Sequence, residues 1–127
     1  SDINIEELLQ EHRKNGGAIT MTSVQPDGRF GTFESGEGGK VIEFLEKPRG
    51  DGSWINGGYF VCEPKVFSYI KHGDGTIFEQ EPLQQMASDG ELYTYRHKGF
   101  WKCMDTLKDK SDLNEMCQAD AAPWVTW

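Results

Sequence analysis

The sequence predicts a domain of the α/β to α+β class, with a mixed β-sheet and flanking helices. Two observations lead to this class. A segment with helical periodicity near the start of the chain is followed directly by an alternating, β-branched segment, and the middle of the chain carries apolar runs separated by glycine-rich turns. The 127 residues are a common length for one domain, so we expect a single domain over 1–127.

The first helix is predicted from its cap and its apolar spacing. Asn4 and Glu7 have the spacing of a capping box. Apolar-stripe positions then recur at i, i+3, i+4 and i+7, namely Ile5, Leu8, Leu9 and His12. The run 15–17, Asn-Gly-Gly, should end the helix. A packed histidine is favoured over a ligand at His12, because no partner of ligand type lies at a useful spacing.

The remaining chain divides into short elements bounded by glycine and proline. Strands are expected over 18–24, 54–62 and 91–97, a hairpin that pairs 29–34 with 41–45, and helices over 65–71, 78–89 and 107–118. Pro64 should stand at the first position of the helix over 65–71. The N-cap of the last helix is either Asp105 or Thr106. The tryptophans among the last four residues are expected to be buried or to oligomerise.

Charge and cysteine content narrow the classes of partner. The net charge is −8, from 21 acidic and 13 basic residues without a basic block, which disfavours nucleic acid and anionic membrane. A phosphorylated small molecule needs only one or two local cations and backbone donors, so it stays possible. No apolar run suggests a spanning helix or a signal segment. Cys62, Cys103 and Cys117 are an odd, scattered set, which favours reduced, partly buried thiols and a cytoplasmic location.

The stretch 40–59 is the most informative part of the sequence. An apolar strand ends in Glu46-Lys47-Pro48, because proline cannot donate to a sheet ladder. Charged side chains at a strand end can turn toward the crevice where open α/β sheets bind ligands. After a polar loop, Asn56-Gly57-Gly58 brings backbone without Cβ atoms to the same region. The alternative is that the first motif is a solvated corner and the second is a turn.

Five motifs, in order and without a large gap, carry a resemblance to a known family. They are Arg-Phe-Gly at 29–31, Phe-Leu-Glu-Lys-Pro at 44–48, Ile-Asn-Gly-Gly-Tyr-Phe at 55–60, Phe-Glu-Gln-Glu-Pro-Leu at 78–83 and Phe-Trp-x-x-Met-Asp-Thr-Leu-x-Asp-Lys at 100–110. Over 1–127 the chain resembles the C-terminal half of the glucose-1-phosphate cytidylyltransferases. These are sugar-nucleotide pyrophosphorylases, which join a nucleoside triphosphate to a sugar 1-phosphate and release pyrophosphate. The resemblance implies half of a Rossmann-like nucleotide-diphospho-sugar transferase fold.

The resemblance also implies a site for glucose 1-phosphate. Glu46 would accept hydrogen bonds from hexose hydroxyls, and Lys47 would neutralise the sugar phosphate. Backbone or amide contacts to the hexose would come from Gly31, Asn56 and Gly57, and Tyr59 would line the pocket. Trp101 would either stack on the ligand or belong to the core, and the core is favoured.

A metal ion is implied in the same way. Asp105 would be one of two carboxylates on Mg²⁺, and a single carboxylate holds that ion poorly. The alternative for Asp105, favoured in this chain, is a helix cap. The family's GGxGTR triphosphate loop, its catalytic lysine and its GDG metal motif are expected in an N-terminal half that is absent here. The triplet Gly73-Asp74-Gly75 is not that GDG, because it comes too late in the order of motifs.

These absences lead to expectations about activity and assembly. We expect no catalytic residue and no turnover by this chain alone, so its status as an enzyme stays open. An open sheet edge predicts a homodimer, or assembly with a complementing N-terminal half. A folded remnant that only binds or self-associates is the alternative.

Overall fold

The computed structural model describes residues 1–26, 32–35, 37–45 and 53–125. In chain order, its helices and strands are α1 Ile5–Asn15, β1 Ile19–Val24, β2 Thr32–Ser35, β3 Val41–Leu45, β4 Ile55–Cys62, α2 Glu81–Ser88, β5 Leu92–Arg96 and α3 Leu107–Gln118. Short 3-10 turns lie at Glu37–Gly39, Pro64–Tyr69 and Gly73–Gly75.

β1 is the central strand of a mixed sheet. It pairs antiparallel with β4 and parallel with β5. Successive strand residues point to opposite faces: Ile19 packs with Met86 of α2, whereas Thr20 contacts His12 of α1. The two helices therefore cover opposite faces of the sheet, which explains why Ile19 and Thr20 are both 0% exposed. The predicted mixed sheet with flanking helices is confirmed.

The first helix forms as its sequence predicts. Asn4 Oδ1 accepts a hydrogen bond from the Glu7 N–H at 3.2 Å. At the other end Gly16 has φ 69° and donates its N–H to the carbonyl of His12. Glycine is favoured there because this left-handed conformation crowds a Cβ atom. The Glu7 carboxylate accepts a hydrogen bond from the Tyr95 hydroxyl at 3.0 Å, which ties α1 to β5.

His12 is a packed histidine, as predicted. Its side chain is 4% exposed. Nδ1 lies 2.9 Å from Thr20 Oγ1, and Nε2 lies 3.2 Å from Glu63 Oε1. The ring thus uses both nitrogens within the protein and links α1 to β1 and to the end of β4.

Some predicted boundaries are corrected. α2 spans 81–88 rather than 78–89, because Pro82 lacks an N–H and is tolerated only in the first helical turn. The segment after Pro64 is a 3-10 turn ending at Tyr69 rather than a helix over 65–71, although Pro64 does stand at its start. The predicted hairpin is confirmed where the structure describes it, since β2 and β3 pair antiparallel.

The cysteines are free thiols, as predicted. Cys103 is partly buried, but Cys62 and Cys117 are exposed, so the prediction of partial burial is wrong for those two. Within the ranges given above, none of the helices combines the length and apolar character needed to cross a bilayer.

Candidate functional site

The candidate site lies at the carboxyl edge of the three-stranded sheet, which is the side where its parallel strands end and not the hydrogen-bonding edge of an outer strand. The parallel strands β1 and β5 end there at Val24 and Arg96, and the antiparallel β4 begins there at Ile55. In register, Ser23 lies between Asn56 and Arg96. In open α/β sheets, ligands bind outside the carboxyl ends of the parallel strands. The Asn-Gly-Gly motif therefore begins at the edge where a ligand is expected.

β4 carries a bulge at this motif. Met21 pairs with Phe60 and Ser23 pairs with Asn56, so the single residue Thr22 of β1 faces residues 57–59 of β4. A bulge bends its strand and redirects side chains, and bulges are frequent beside active sites. The motif is therefore part of a strand, and its alternative interpretation as a turn is wrong.

The glycines of the bulge are required by its geometry. A Cβ atom on Gly57 would lie 2.9 Å from Val24 Cγ1 and 3.1 Å from the Thr22 carbonyl oxygen. Gly58 has φ 81°, a left-handed conformation that side chains rarely adopt. Together the two glycines let the chain bulge while β4 stays close to β1.

Two side chains hold the peptide group between Gly57 and Gly58. The indole N–H of Trp101 donates to the Gly57 carbonyl at 3.0 Å, and Asn56 Oδ1 accepts from the Gly58 N–H at 2.8 Å. Trp101 is half-buried and uses its polar atom here, so it is more than the core residue that the sequence favoured. The Phe-Trp motif at 100–110 drew attention to this residue, but its partner 44 residues away could not be predicted from the sequence.

The segment after β5 crosses this edge of the sheet. The His97 N–H donates to the Ser23 carbonyl at 2.9 Å, and Trp101 then reaches Gly57 of β4. The same segment holds the start of the chain, since the Asp2 N–H donates to the Phe100 carbonyl at 3.2 Å and Asp2 Oδ1 lies 2.9 Å from His97 Nε2.

Tyr59 lines a cleft next to the bulge. Its other walls are residues 1–5 and Trp124, and the cleft has a volume of about 770 Å³. That volume is within the range of small-molecule sites. Trp124 is half-buried, with its ring centroid 5.5 Å from that of Phe100, as expected for the tryptophans near the C-terminus; Trp127 lies outside the described residues.

Three predicted site residues, Gly31, Glu46 and Lys47, lie outside the described residues. Their roles toward the sugar phosphate therefore stay predictions. Of the sugar-contact set, the structure describes Asn56, Gly57 and Tyr59, and it places these together in the bulge of β4.

Asp105 is exposed and does not cap α3. The N-cap is Thr106: its Oγ1 accepts from the Asp109 N–H at 3.1 Å, and Asp109 Oδ2 accepts from the Thr106 N–H at 3.0 Å. The prediction of Asp105 as the cap is wrong, because the threonine hydroxyl and the carboxylate three residues later complete a reciprocal capping box. The hydrogen bond from the Thr106 hydroxyl also lowers the pKa of Asp109 below its ordinary value.

The described residues do not fit a resident Mg²⁺ ion. This ion prefers near-octahedral oxygen coordination, in which carboxylates are joined by substrate phosphates. Over the part of the chain that the structure describes, no group of three histidine, cysteine, aspartate or glutamate side chains is placed to hold a metal. Asp105 alone would be a single exposed ligand.

Comparison of the sequence with known proteins shows the family to which the chain belongs. Residues 1–119 match the family model described as Nucleotidyl transferase, and the chain belongs to this family. In particular, it is 44% identical over 127 residues to the glucose-1-phosphate cytidylyltransferase of Salmonella typhi. It is 42% identical over 127 residues to the probable glucose-1-phosphate cytidylyltransferase of Bacillus subtilis (strain 168).

These relatives are about twice as long as the chain. Each match covers 100% of the chain and 49% of the relative, so the chain spans about half the length of the curated relatives it matches. A solved structure has the same fold at 21% identity and a TM-score of 0.59: a putative glucose-1-phosphate thymidylyltransferase from Bacillus anthracis in complex with a sucrose. The structural match covers 91% of this chain and 50% of the thymidylyltransferase chain. The predicted Rossmann-like transferase fold is thus confirmed.

Proposed function

We propose that this chain is the sugar-phosphate-binding half of a glucose-1-phosphate cytidylyltransferase and corresponds to its C-terminal half. The complete enzyme would convert CTP and glucose 1-phosphate to CDP-glucose and pyrophosphate. The observation that supports the proposal is the β4 bulge: Asn56 and Gly57 lie beside the carboxyl ends of the parallel strands, and Tyr59 lines the adjoining cleft. The identity of 44% to a cytidylyltransferase supports the choice of ligand.

The proposed site combines one cation with neutral hydrogen-bonding groups. Lys47 neutralises the phosphate, which a chain of net charge −8 would otherwise repel. Glu46 accepts hydrogen bonds from hexose hydroxyls, and backbone of the glycine motifs lets the sugar ring approach closely. Tyr59 supplies a wall of the adjoining cleft.

We further propose that the chain by itself does not turn over. Nucleotidyl transfer, like other phosphoryl transfers, depends on aligning phosphates and on neutralising their charge with metal and cations. The 127 residues contain no GGxGTR loop, and the described residues offer no carboxylate cluster for Mg²⁺. Activity would then require a complementing nucleotide-binding half. A non-catalytic remnant that binds or self-associates is the second candidate.

The second candidate includes self-association of the chain through the outer strand β4. In the described part of the chain, β4 pairs on one edge only, with β1. Its sequence, INGGYFVC, contains no charged residue, and Ile55 and Tyr59 are 42% and 38% exposed. Long, uncharged strand edges favour pairing with another chain. We propose that a second copy of this chain, or the complementing half, covers this edge.

Calorimetric titration tests the binding function. We expect saturable binding of glucose 1-phosphate, with weaker binding of glucose and of inorganic phosphate, because each of these two reaches only part of the site. Lys47→Ala should weaken binding of glucose 1-phosphate at least tenfold, as expected for loss of a charge-assisted contact of about 1.5–3 kcal/mol. Lys71→Ala, at an exposed lysine elsewhere, should not.

Two outcomes would count against the proposal. Equal binding by the Lys47→Ala and Lys71→Ala variants would reject the assigned phosphate contact. Clear release of pyrophosphate from CTP, glucose 1-phosphate and Mg²⁺ by the chain alone would reject the proposed lack of turnover.

A further inference from the structure

We infer that Trp101 is a positioning residue of the sugar site and acts through the backbone of the β4 bulge. The inference rests on the proposed function for its ligand. It assigns Trp101 neither to stacking on the sugar nor to the core alone. Its indole N–H fixes the peptide group between Gly57 and Gly58, which Asn56 holds from the other end.

The bulge explains why this peptide needs side-chain partners. In a regular ladder, the backbone N–H and C=O groups of β4 would pair with β1. Here Thr22 is the only β1 residue opposite residues 57–59, so the bulged backbone cannot all be paired in the ladder. Gly57 is buried, and an unpaired buried backbone group is costly. The Trp101 indole and the Asn56 amide supply the missing partners at 3.0 Å and 2.8 Å.

The hydrogen bonds of Trp101 and Asn56 to the peptide group between Gly57 and Gly58 together form a clamp. This clamp also determines which polar atoms of Asn56 are left for a ligand. Only the amide oxygen can accept the Gly58 N–H, so this bond orients the side chain and leaves the two Nδ2 donors free. The Gly57 carbonyl accepts from Trp101 and is held in one orientation by that bond. Asn56 is therefore expected to donate to a hexose oxygen through Nδ2.

Trp101 is itself held in place by the segment that crosses the sheet edge. The His97 N–H anchors the start of this segment on the Ser23 carbonyl at 2.9 Å. The indole then spans from this segment to β4. The bulge, the end of β1 and the segment after β5 are thus linked into one unit at the proposed site.

Trp101→Phe tests the inference because it keeps an aromatic ring and removes the donor. The Gly58 amide resonance should shift, and its hydrogen exchange should accelerate, in the ligand-free chain. Affinity for glucose 1-phosphate should fall about threefold to tenfold, the effect of one lost hydrogen bond. Binding of inorganic phosphate, which does not use the clamp, should be unchanged. Tyr69→Phe is the control, because it also keeps a ring and removes a side-chain donor, here the hydroxyl that donates to Asp89 at 3.0 Å in a different part of the chain.

A double-mutant cycle tests separately whether Trp101 and Asn56 act on the same peptide group. Because Trp101 and Asn56 hold the same peptide, the losses of glucose 1-phosphate affinity in Trp101→Phe and Asn56→Ala should not be additive. Additive losses, or a Trp101→Phe variant that binds like Tyr69→Phe with an unchanged Gly58 resonance, would overturn the inference alone. A wild-type chain that fails to bind glucose 1-phosphate would reject the proposed function and the inference together.

Discussion

The indole N–H of Trp101 donates a hydrogen bond of 3.0 Å to the carbonyl of Gly57, a residue 44 positions earlier in the chain. The contact joins the segment after β5 to the bulge of β4. Both partners belong to this chain, so the contact needs no second chain. We therefore expect the bulge to be formed before any ligand binds.

Gly57 should not tolerate a side chain. Gly57→Ala would place a Cβ atom 2.9 Å from Val24 Cγ1 and 3.1 Å from the Thr22 carbonyl oxygen. Overpacking of this kind costs about 1–3 kcal/mol, which urea unfolding would measure. Gly75→Ala is the matched control, because a Cβ atom there would meet no atom within 4 Å. Equal stability of the two variants would show that the bulge can relax.

The cap of α3 separates the roles of two neighbouring residues. Thr106→Ala removes one half of the reciprocal capping box and should cost about 0.5–2 kcal/mol of unfolding free energy. Asp105→Ala should leave the unfolding free energy unchanged, because the exposed Asp105 is not the cap. Thermal and urea unfolding of both variants would check this. A comparable loss in Asp105→Ala would mean that Asp105 has a stabilising contact of its own.

Stability should depend on pH through Asp109. The Thr106 hydroxyl holds the pKa of this carboxyl below its ordinary value. The unfolded chain therefore binds a proton more readily, and the stabilisation is present above the ordinary aspartate pKa of about 4 and is lost as pH falls through the lowered folded value.

Urea unfolding at a series of pH values would measure this dependence. Asp109→Asn should lose stability less steeply than wild type below about pH 4, since the variant has no carboxyl to titrate. Asp74→Asn, at an exposed aspartate in a short turn, controls for the change in net charge. Identical slopes for wild type and Asp109→Asn would contradict the assignment.

Part of this architecture could be predicted from the sequence. Local signals were sufficient for α3 over 107–118, whose capping residue lies next to it, and for the packed His12 on the stripe of α1. The bulge could not be predicted, because Asn-Gly-Gly in a strand has the same local signature as a turn. The hydrogen-bonding role of Trp101 could not be predicted for another reason: it depends on tertiary pairing of distant segments.

The uncharged edge of β4 should govern self-association. Ile55→Lys adds a charge at the edge, a device by which natural sheets avoid pairing with other chains. If a second copy covers this edge, the variant should sediment as a smaller species than wild type at the same concentration. Ile77→Lys, at an isoleucine that is 58% exposed away from the sheet, is the control. Compact monomers of wild type at high concentration would rule out the homodimer.

The proposed sugar-phosphate site is tested most directly by titration of the ¹⁵N-labelled chain with glucose 1-phosphate, followed by amide chemical shifts. We predict saturable shifts at Gly57, Gly58 and Tyr59 that are absent in Lys47→Ala, because the bulge and the cation would form one preformed half-site. Shifts confined to other parts of the chain, or no shifts at millimolar ligand, would contradict a preformed sugar-phosphate site at this edge of the sheet.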